Sequence, residues 1–403
     1  MRPVFKDRVN SFYLINKPNY TLISVALCKF LYGFYTSAIG SMLVPIGELF
    51  KINLKTQSVI FPFNYFGQIV IIFFVGYFAD MFGKKIVHLS ALVLLGLSAL
   101  LFNYIRSFSM FMVLFLFMGL FGISINTIAD ATVSDTFKNK KGYYLNIAHV
   151  FFGLGAMTSP IVFNFVFSMT SDFRSVYFIL FIIALVVVFL ISMAKYPSVE
   201  DEKIRPSVVS GFLKNRNFMI LCLYSLLTSG AMHSISGWIP TLFQKNLGIS
   251  ASVSNYSLSF FWLSIVIART ATAFLSKKYQ ERQLLKILNI IIFIVLAVSF
   301  FFDNYWVLLA DYMLTGLLMG GTFPLMIAYS AEIFPKYSTS RLAVIFSFSA
   351  IGMFSIPALV GIIADIFPIY KILPFTSLPF LVYFFVFGGD AKKHSGYKES
   401  LKR

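Results

Sequence analysis

Residues 174–194 read RSVYFILFIIALVVVFLISMA, a stretch whose only charge is that of Arg174 at its start. As a helix rising about 1.5 Å per residue, it would be about 30 Å long, which is the thickness of the hydrocarbon core of a bilayer. Its apolar residues are continuous, whereas a strand of a membrane barrel would alternate, and a helix satisfies its own backbone hydrogen bonds in lipid. The stretch therefore predicts a membrane-spanning helix.

Comparable stretches recur along nearly the whole chain. Of its 403 residues, 58% are hydrophobic and only 12% are charged, which is about half the charged fraction of a soluble domain. The sequence thus predicts an all-α membrane protein with twelve transmembrane helices. Their expected bounds are 21–46, 57–79, 86–104, 108–132, 143–168, 174–194, 217–243, 250–275, 284–302, 306–331, 341–364 and 370–388.

The net charge of +17 is distributed unevenly over the loops. If both termini and every second loop lie on one side of the membrane, that side holds 25 of the 33 lysines and arginines. Positively charged loops stay in the cytoplasm, so both termini are predicted to be cytoplasmic, in the inner membrane of a bacterium or in a plasma membrane. Topology and contact with anionic lipid account for the charge, and no nucleic-acid partner is expected.

A constant offset of 197 residues aligns the first half of the chain with the second. The offset covers an even number of helices, so the copies have the same orientation, as in carriers that rock two bundles around a central site. We predict an N-terminal six-helix bundle at 1–194, a cytoplasmic linker at 195–216 and a C-terminal bundle with a cytoplasmic tail at 217–403, in a monomer. The matching pairs are Gly33 with Gly230, Ser37 with Ser234, Gly40 with Gly237, Gly119 with Gly316, Phe151 with Phe348, Gly155 with Gly352 and Pro160 with Pro357.

Two of these matches place a glycine and a proline five residues apart in predicted helices 5 and 11. Glycine and proline loosen a helix, which would suit a carrier that bends. Glycine also allows two membrane helices to approach closely. Both interpretations are compatible with the sequence.

The loop after predicted helix 2 combines an acid, a turn glycine and two lysines. Residues 76–85 read GYFADMFGKK, and Gly83 suits a tight turn because it has no Cβ. This string resembles the loop 2–3 signature of the major facilitator superfamily. The resemblance implies that Asp80 helps to latch the two halves together on the cytoplasmic side. At the offset of 197 the second copy has Lys277 in place of that acid.

Further segments are similar to the fucose-permease-like sugar symporters of that superfamily. They are 126–130 (NTIAD), 146–156 (NIAHVFFGLGA), 230–234 (GAMHS) with Gly237-Trp238, Phe261-Trp262, Ala268-Arg269 and Phe323-Pro324. The chain departs from these relatives where Asn126 replaces a glutamate, Asp130 an asparagine and His233 a glutamate. It also lacks the helix-1 acid among residues 30–47, so the usual carboxylates of proton coupling are not all present.

Ionisable side chains inside membrane spans are energetically unfavourable and mark functional sites by default. His233 lies near the middle of predicted helix 7, where it could donate a hydrogen bond to a substrate or bind a proton. The alternative is a buried histidine whose hydrogen bond is satisfied by a neighbouring backbone carbonyl. Asp130 and Arg269 lie toward the cytoplasmic ends of their helices, which favours an ion pair or an inner gate, and His149 belongs to the same group of gating or coupling candidates. Lys29 is expected to snorkel toward the nearby cytoplasmic surface.

A sugar site needs hydrogen-bonding groups for the hydroxyls and flat aromatic rings for the C–H face of the ring. Several amide and aromatic side chains in predicted spans have this chemistry. Together with His233, the substrate-binding candidates are Asn64, Gln68, Asn126, Asn146, Trp238, Trp262, Tyr32 and Tyr35.

No catalytic motif is evident, and the chain is not expected to be an enzyme or to need a cofactor or a metal. The primary hypothesis is a secondary active transporter for a monosaccharide, working by alternating access with or without a co-transported proton or sodium ion. Two alternatives remain: a carrier for another solute class, such as a drug or a lysolipid, and a receptor that kept the fold without transporting.

Overall fold

In the computed structural model, helices make up almost all of the described chain, which comprises residues 18–137, 141–196, 211–275, 279–334 and 338–388. Ten helical stretches of this part are long and apolar enough to cross a membrane, and Ile369–Phe384 forms a shorter apolar stretch. The spanning helices are α1 Pro18–Phe50, α2 Ile60–Phe82, α3 Lys84–Leu101, α4 Phe108–Thr136, α5 Lys141–Thr170, α6 Ser175–Met193, α7 Arg216–Thr241, α8 Ala251–Leu275, α9 Glu281–Ser299, α10 Tyr305–Met319 with Thr322–Ile333, α11 Ser338–Ile363 and α12 Leu378–Gly388.

The predicted fold class and its twelve spans are confirmed, with differences at two helices. Helix α10 is interrupted at Gly320 and Gly321, because both glycines lie against α8, where a Cβ atom would overlap Ala268 or Thr272. Helix α12 is preceded by two short helices, Ile369–Ile372 and Leu373–Ser377. Most of the predicted linker falls outside the described residues.

Within each half few residues separate successive helices, which therefore run antiparallel, so the bundle has two distinct faces. We call the side on which α1 begins and α12 ends the terminal face, and the other side the opposite face. The turn between α2 and α3 lies at the terminal face. Its Gly83 has φ +92°, a backbone conformation that favours glycine and agrees with the predicted turn.

The matched glycines lie at equivalent helix crossings in the two halves. A Cβ atom at Gly33 or Gly155 would overlap a backbone carbonyl group where α1 crosses α5, and one at Gly230 or Gly352 would do so where α7 crosses α11. The four glycines are therefore required for close packing, and both α5 and α11 continue through their prolines as single helices.

A second pair of crossings repeats residue for residue. Gly119 on α4 lies against the backbone of Asn64 on α2, and Gly316 on α10 lies against the backbone of Phe261 on α8. Each member of the second contact is 197 residues beyond its counterpart. The contact geometry thus bears out the internal repeat seen in the sequence.

Candidate functional site

A buried ion pair lies inside the N-terminal half, between α1 and α4. Lys29 Nζ is 2.6 Å from Asp130 Oδ2 and donates a hydrogen bond of 2.7 Å to Asn126 Oδ1. The Lys29 side chain has no exposed surface. The expectation that it snorkels to the surface is wrong: α1 begins at Pro18, three turns before Lys29, and α4 supplies both its counter-charge and its acceptor.

Two more ionisable side chains extend this cluster toward the C-terminal half. His149 Nε2 on α5 lies 3.6 Å from Asp130 Oδ1. Arg269 on α8 donates from Nη1 to the backbone oxygen of His149 at 3.0 Å. In this conformation Asp130 is therefore paired with Lys29 rather than with Arg269, and Arg269 contacts the N-terminal half through a backbone carbonyl.

Four of the substrate-binding candidates form one chain of hydrogen bonds across α1 and α2. Tyr32 donates its hydroxyl hydrogen to Gln68 Oε1 at 3.1 Å, and Gln68 Nε2 donates to Asn64 Oδ1 at 2.9 Å. Asn64 Nδ2 contacts the hydroxyl of Tyr35 and donates to the backbone oxygen of Phe115 at 2.9 Å. All four side chains are buried, so in this conformation they satisfy one another.

An aromatic group joins the two halves beside this chain. The Phe152 ring of α5 lies 5.7 Å from the rings of Tyr32 and Trp262, measured between centroids, and 5.8 Å from the guanidinium carbon of Arg269. Trp262 is 1% exposed, and its Nε1–H has no acceptor among the described residues.

His233 on α7 faces α2 across the plane between the halves. Its Nδ1 lies 2.9 Å from the backbone oxygen of Ser229, and its ring meets that of Tyr65 edge-on at 5.8 Å. A carbonyl oxygen can only accept, so Nδ1 must be the protonated nitrogen. In the neutral ring Nε2 then has a free lone pair, which makes His233 an acceptor toward a ligand instead of the donor expected from the sequence.

The remaining candidates occupy other positions. Trp238 is fully buried and donates from Nε1 to the backbone oxygen of Pro357 at 3.0 Å, so it ties α7 to α11 and offers no polar group to a ligand. Asn146 and Asp80 belong to α5 and α2, but their side chains lie outside the described part of the structure.

Sequence reasoning overlooked Asp311, which lies within the first segment of α10. Its Oδ2 atom is buried and has no hydrogen-bond partner among the described residues, and the same holds for the neighbouring hydroxyls of Tyr312 and Thr315. The signal was available, because an acid inside the predicted span 306–331 meets the criterion that singled out Asp130.

The two halves meet through side chains at the opposite face. Asn255 Nδ2 on α8 donates to Asn164 Oδ1 on α5 at 2.8 Å, and Lys245 Nζ lies 3.3 Å from Glu48 Oε1. The backbone N–H of Lys55 donates to Asp365 Oδ1 at 3.2 Å.

The same face shows the internal repeat again. At the offset of 197, Asn164 corresponds to Gly361 and Asn255 corresponds to Ser58. Gly361 and Ser58 are also in contact with each other. Two symmetry-related contacts therefore close this face: one joins α5 to α8, and the other joins the segment before α2 to α11.

A membrane-embedded pair of equivalent six-helix bundles, in contact at one face and with ionisable side chains at their interface, defines the class of secondary transporters. The sequence profile of the Major Facilitator Superfamily matches residues 25–302, and the chain belongs to that family.

The individual relatives share 25% or less of their sequence with this chain. The chain is 21% identical over 381 residues to the "Protein TsgA homolog" of Buchnera aphidicola subsp. Baizongia pistaciae, covering 93% of this chain and 96% of that one. It is 25% identical over 226 residues to the glucose/mannose transporter GlcP of Bacillus subtilis, covering 53% and 55%. Among solved structures, a bacterial homolog of the human lysosomal transporter Spinster, in an inward-facing and unoccupied conformation, has a TM-score of 0.75 at 12% identity and covers 92% of this chain and 95% of that one.

Proposed function

We propose that this transporter moves a small hydroxylated solute, a monosaccharide or a close derivative, by alternating access. The observation that supports this most is the set of groups at the contact between the halves: the free Nε2 acceptor of His233 and the flat rings of Phe152 and Trp262. The buried amides of Asn64 and Gln68 adjoin them through Tyr32, in the N-terminal half. Such a set offers partners to hydroxyl groups and a surface to a sugar ring. The similarity to a glucose/mannose transporter supports the same solute class.

The terminal face is proposed to be the cytoplasmic one, because the loops and tails on that side hold most of the lysines and arginines. The contacts at the opposite face would then close the extracytoplasmic side, and the conformation described would be open toward the cytoplasm. A cysteine introduced at Ser400, in the tail beyond the described residues, should be labelled by an impermeant reagent only after the cells are opened. Labelling from outside intact cells would reverse this topology.

The transport proposal is tested by counterflow in proteoliposomes. Vesicles loaded with unlabelled glucose, mannose or fucose should take up the labelled form of the same sugar transiently above its equilibrium level, since exchange needs a carrier that reorients with substrate bound. Empty liposomes and vesicles loaded with an unrelated amino acid are the controls. Binding of a sugar without exchange would indicate a receptor, and exchange of a lysolipid but of no sugar would assign another solute class.

A further inference from the structure

Two basic side chains lie in the interior of the bundle, Lys29 on α1 and Arg269 on α8. Lys29 pairs with the carboxylate of Asp130, with 2.6 Å between Lys29 Nζ and Asp130 Oδ2. Among the described residues no carboxylate oxygen lies within 4.0 Å of the Arg269 guanidinium, whose recorded polar contact is with the backbone oxygen of His149. Arg269 is therefore a cation without a carboxylate partner in the described part of the interior.

Arg269 lies at the contact between the two halves, where it meets His149 and Phe152 of α5. Long side chains of an α-helix point toward its N-terminus, and α8 begins at the opposite face, so the Arg269 side chain extends from the terminal third of the bundle toward its middle. There the guanidinium lies over the Phe152 ring at 5.8 Å. Arginine has five N–H donors, and its Nε–H has no acceptor in the described part of the chain.

A second donor without an acceptor lies on the same side of α8. Trp262 precedes Arg269 by two helical turns, and its ring contacts the same Phe152 ring. Its Nε1–H is buried and has no acceptor among the residues described. Buried donors without partners are unfavourable by roughly 1–3 kcal/mol each, so these two donors on either side of Phe152, one of them on a guanidinium, favour a ligand that brings an anionic acceptor.

We propose that the transported solute is a monoanion, a sugar acid whose carboxylate binds Arg269 while its ring packs on Phe152 and Trp262. This inference rests on the proposed transport of a hydroxylated solute and names its charge. One carboxylate matches one guanidinium in charge and in its pair of hydrogen-bonding oxygens, whereas a phosphate monoester would bring a second negative charge for which the described residues around Arg269 offer no free cation. The resulting guanidinium–carboxylate hydrogen bonds belong to the stronger class in proteins.

A purely structural role for Arg269, clamping α8 to α5 through His149, predicts a different outcome. Loss of a clamp would weaken the binding of every ligand alike. Loss of an anion-binding group would weaken only the binding of the charged ligand. The ratio of the affinities for a charged and a neutral sugar therefore separates the two roles.

The experiment measures thermal unfolding of the purified full-length chain as a function of ligand concentration, since a ligand of the folded state raises the melting temperature. The ligands are glucuronate, its uncharged amide glucuronamide, glucose, and propionate as a carboxylate without hydroxyls. Wild-type protein should bind glucuronate at least about tenfold more tightly than either neutral sugar. This comparison requires no variant, so it stands even if a substitution prevents folding.

The variants are Arg269→Gln, Arg269→Lys and, as the matched control, Arg106→Gln, which makes the same change at an exposed loop position. Arg269→Gln should weaken glucuronate binding about 10- to 100-fold and leave glucose binding unchanged. Arg269→Lys should restore part of the affinity, because it keeps the charge but not the planar fork of donors. Arg106→Gln should behave as wild type.

The outcomes separate the charge of the solute from its class. Equal wild-type affinities for glucose and glucuronate would overturn the anion assignment and leave sugar transport standing, and an equal loss for both sugars in Arg269→Gln would assign the clamp role. Propionate binding as tightly as glucuronate would keep the charge but contradict a hydroxylated solute. If none of the anions binds, the proposal is wrong.

Discussion

A lysine ammonium enclosed by membrane helices needs a counter-charge, and among the described residues Asp130 is the one that Lys29 has. Because the pair is buried, it contributes to stability mainly by giving each charge a partner. Removing one member of a buried pair typically destabilises a protein by about 3–5 kcal/mol, while replacing both can be neutral. The stability of this region should therefore depend on the balance of the two charges more than on either one.

We expect Lys29→Met to lower the melting temperature of the purified protein strongly, by the equivalent of about 3–5 kcal/mol, because it leaves Asp130 without its partner. The double variant Lys29→Met/Asp130→Asn should recover most of the loss. Thermal unfolding of the wild type and of these two variants measures both effects. A single variant as stable as the wild type would show that the buried contact is not an ion pair.

His233 is expected to act through its Nε2 lone pair, since Nδ1 is engaged by Ser229. His233→Ala should weaken substrate binding about tenfold, because it removes the acceptor. His233→Gln keeps an acceptor of similar reach and should retain most of the affinity. Titration of the exchanged solute in counterflow measures both values, and wild-type affinity in the alanine variant would make His233 a packing residue.

Asp311 is expected to couple transport to protons, because its buried Oδ2 has no hydrogen-bond partner among the described residues and acids inside membrane spans commonly belong to proton relays. Asp311→Asn should keep solute exchange in counterflow and lose accumulation driven by a pH gradient. The exposed Asp303, at the opposite-face end of α10, provides the matched control, and Asp303→Asn should keep both activities. Unchanged accumulation in Asp311→Asn would exclude this residue from coupling.

At the scale of helices, the glycine crossings explain how the bundle reaches its close packing. In Gly155→Ala the new methyl group would overlap the backbone of Phe30 on α1, where no flexible side chain can move aside. We expect a destabilisation of about 1–3 kcal/mol, measured as a fall in melting temperature.

Gly76→Ala is the matched control for that change. Gly76 also lies within a helix, but a Cβ atom there meets nothing within 4 Å, so alanine should be neutral or slightly stabilising. If the two variants were equally stable, the α1–α5 crossing would not depend on the glycine.

The helices could be predicted from the sequence because a span needs only length and apolar composition, which a stretch such as 174–194 carries by itself. The crossings could be located through the repeated glycines, since a duplicated chain repeats its contacts. The break in α10 could not be predicted from the repeat. Gly320 and Gly321 correspond at the offset of 197 to Ile123 and Ser124, and α4 is continuous there.

The side-chain partners of the candidate site were harder to predict. Lys29 and Asp130 are 101 positions apart, and their contact depends on how α1 and α4 are rotated about their axes. A one-residue rotation turns a side chain by about 100°, from a lipid-facing to a buried direction. Hydropathy does not determine this angle, which is why the partner of Asp130 was not foreseen.

At the scale of the whole molecule, alternating access requires the contacts at the opposite face to break in each cycle. A disulfide or a short thiol cross-linker between Asn164→Cys and Asn255→Cys, in a chain with Cys28 and Cys222 replaced by Ser, should hold that face closed. We expect cross-linking to abolish most of the exchange in proteoliposomes and a reductant to restore it. Each single cysteine variant serves as a control, and full activity of the cross-linked protein would contradict a moving gate at this face.

The contact between Glu48 and Lys245 has a further consequence, because the two residues are 197 positions apart and so occupy the same place in the two copies. In a dimer of identical six-helix chains, a residue so close to the two-fold axis would face itself, and two carboxylates or two ammonium groups would repel each other. Opposite charges can arise there only when the two copies mutate independently. This ion pair is therefore open to a chain that carries two non-identical copies and closed to a symmetric pair of identical chains.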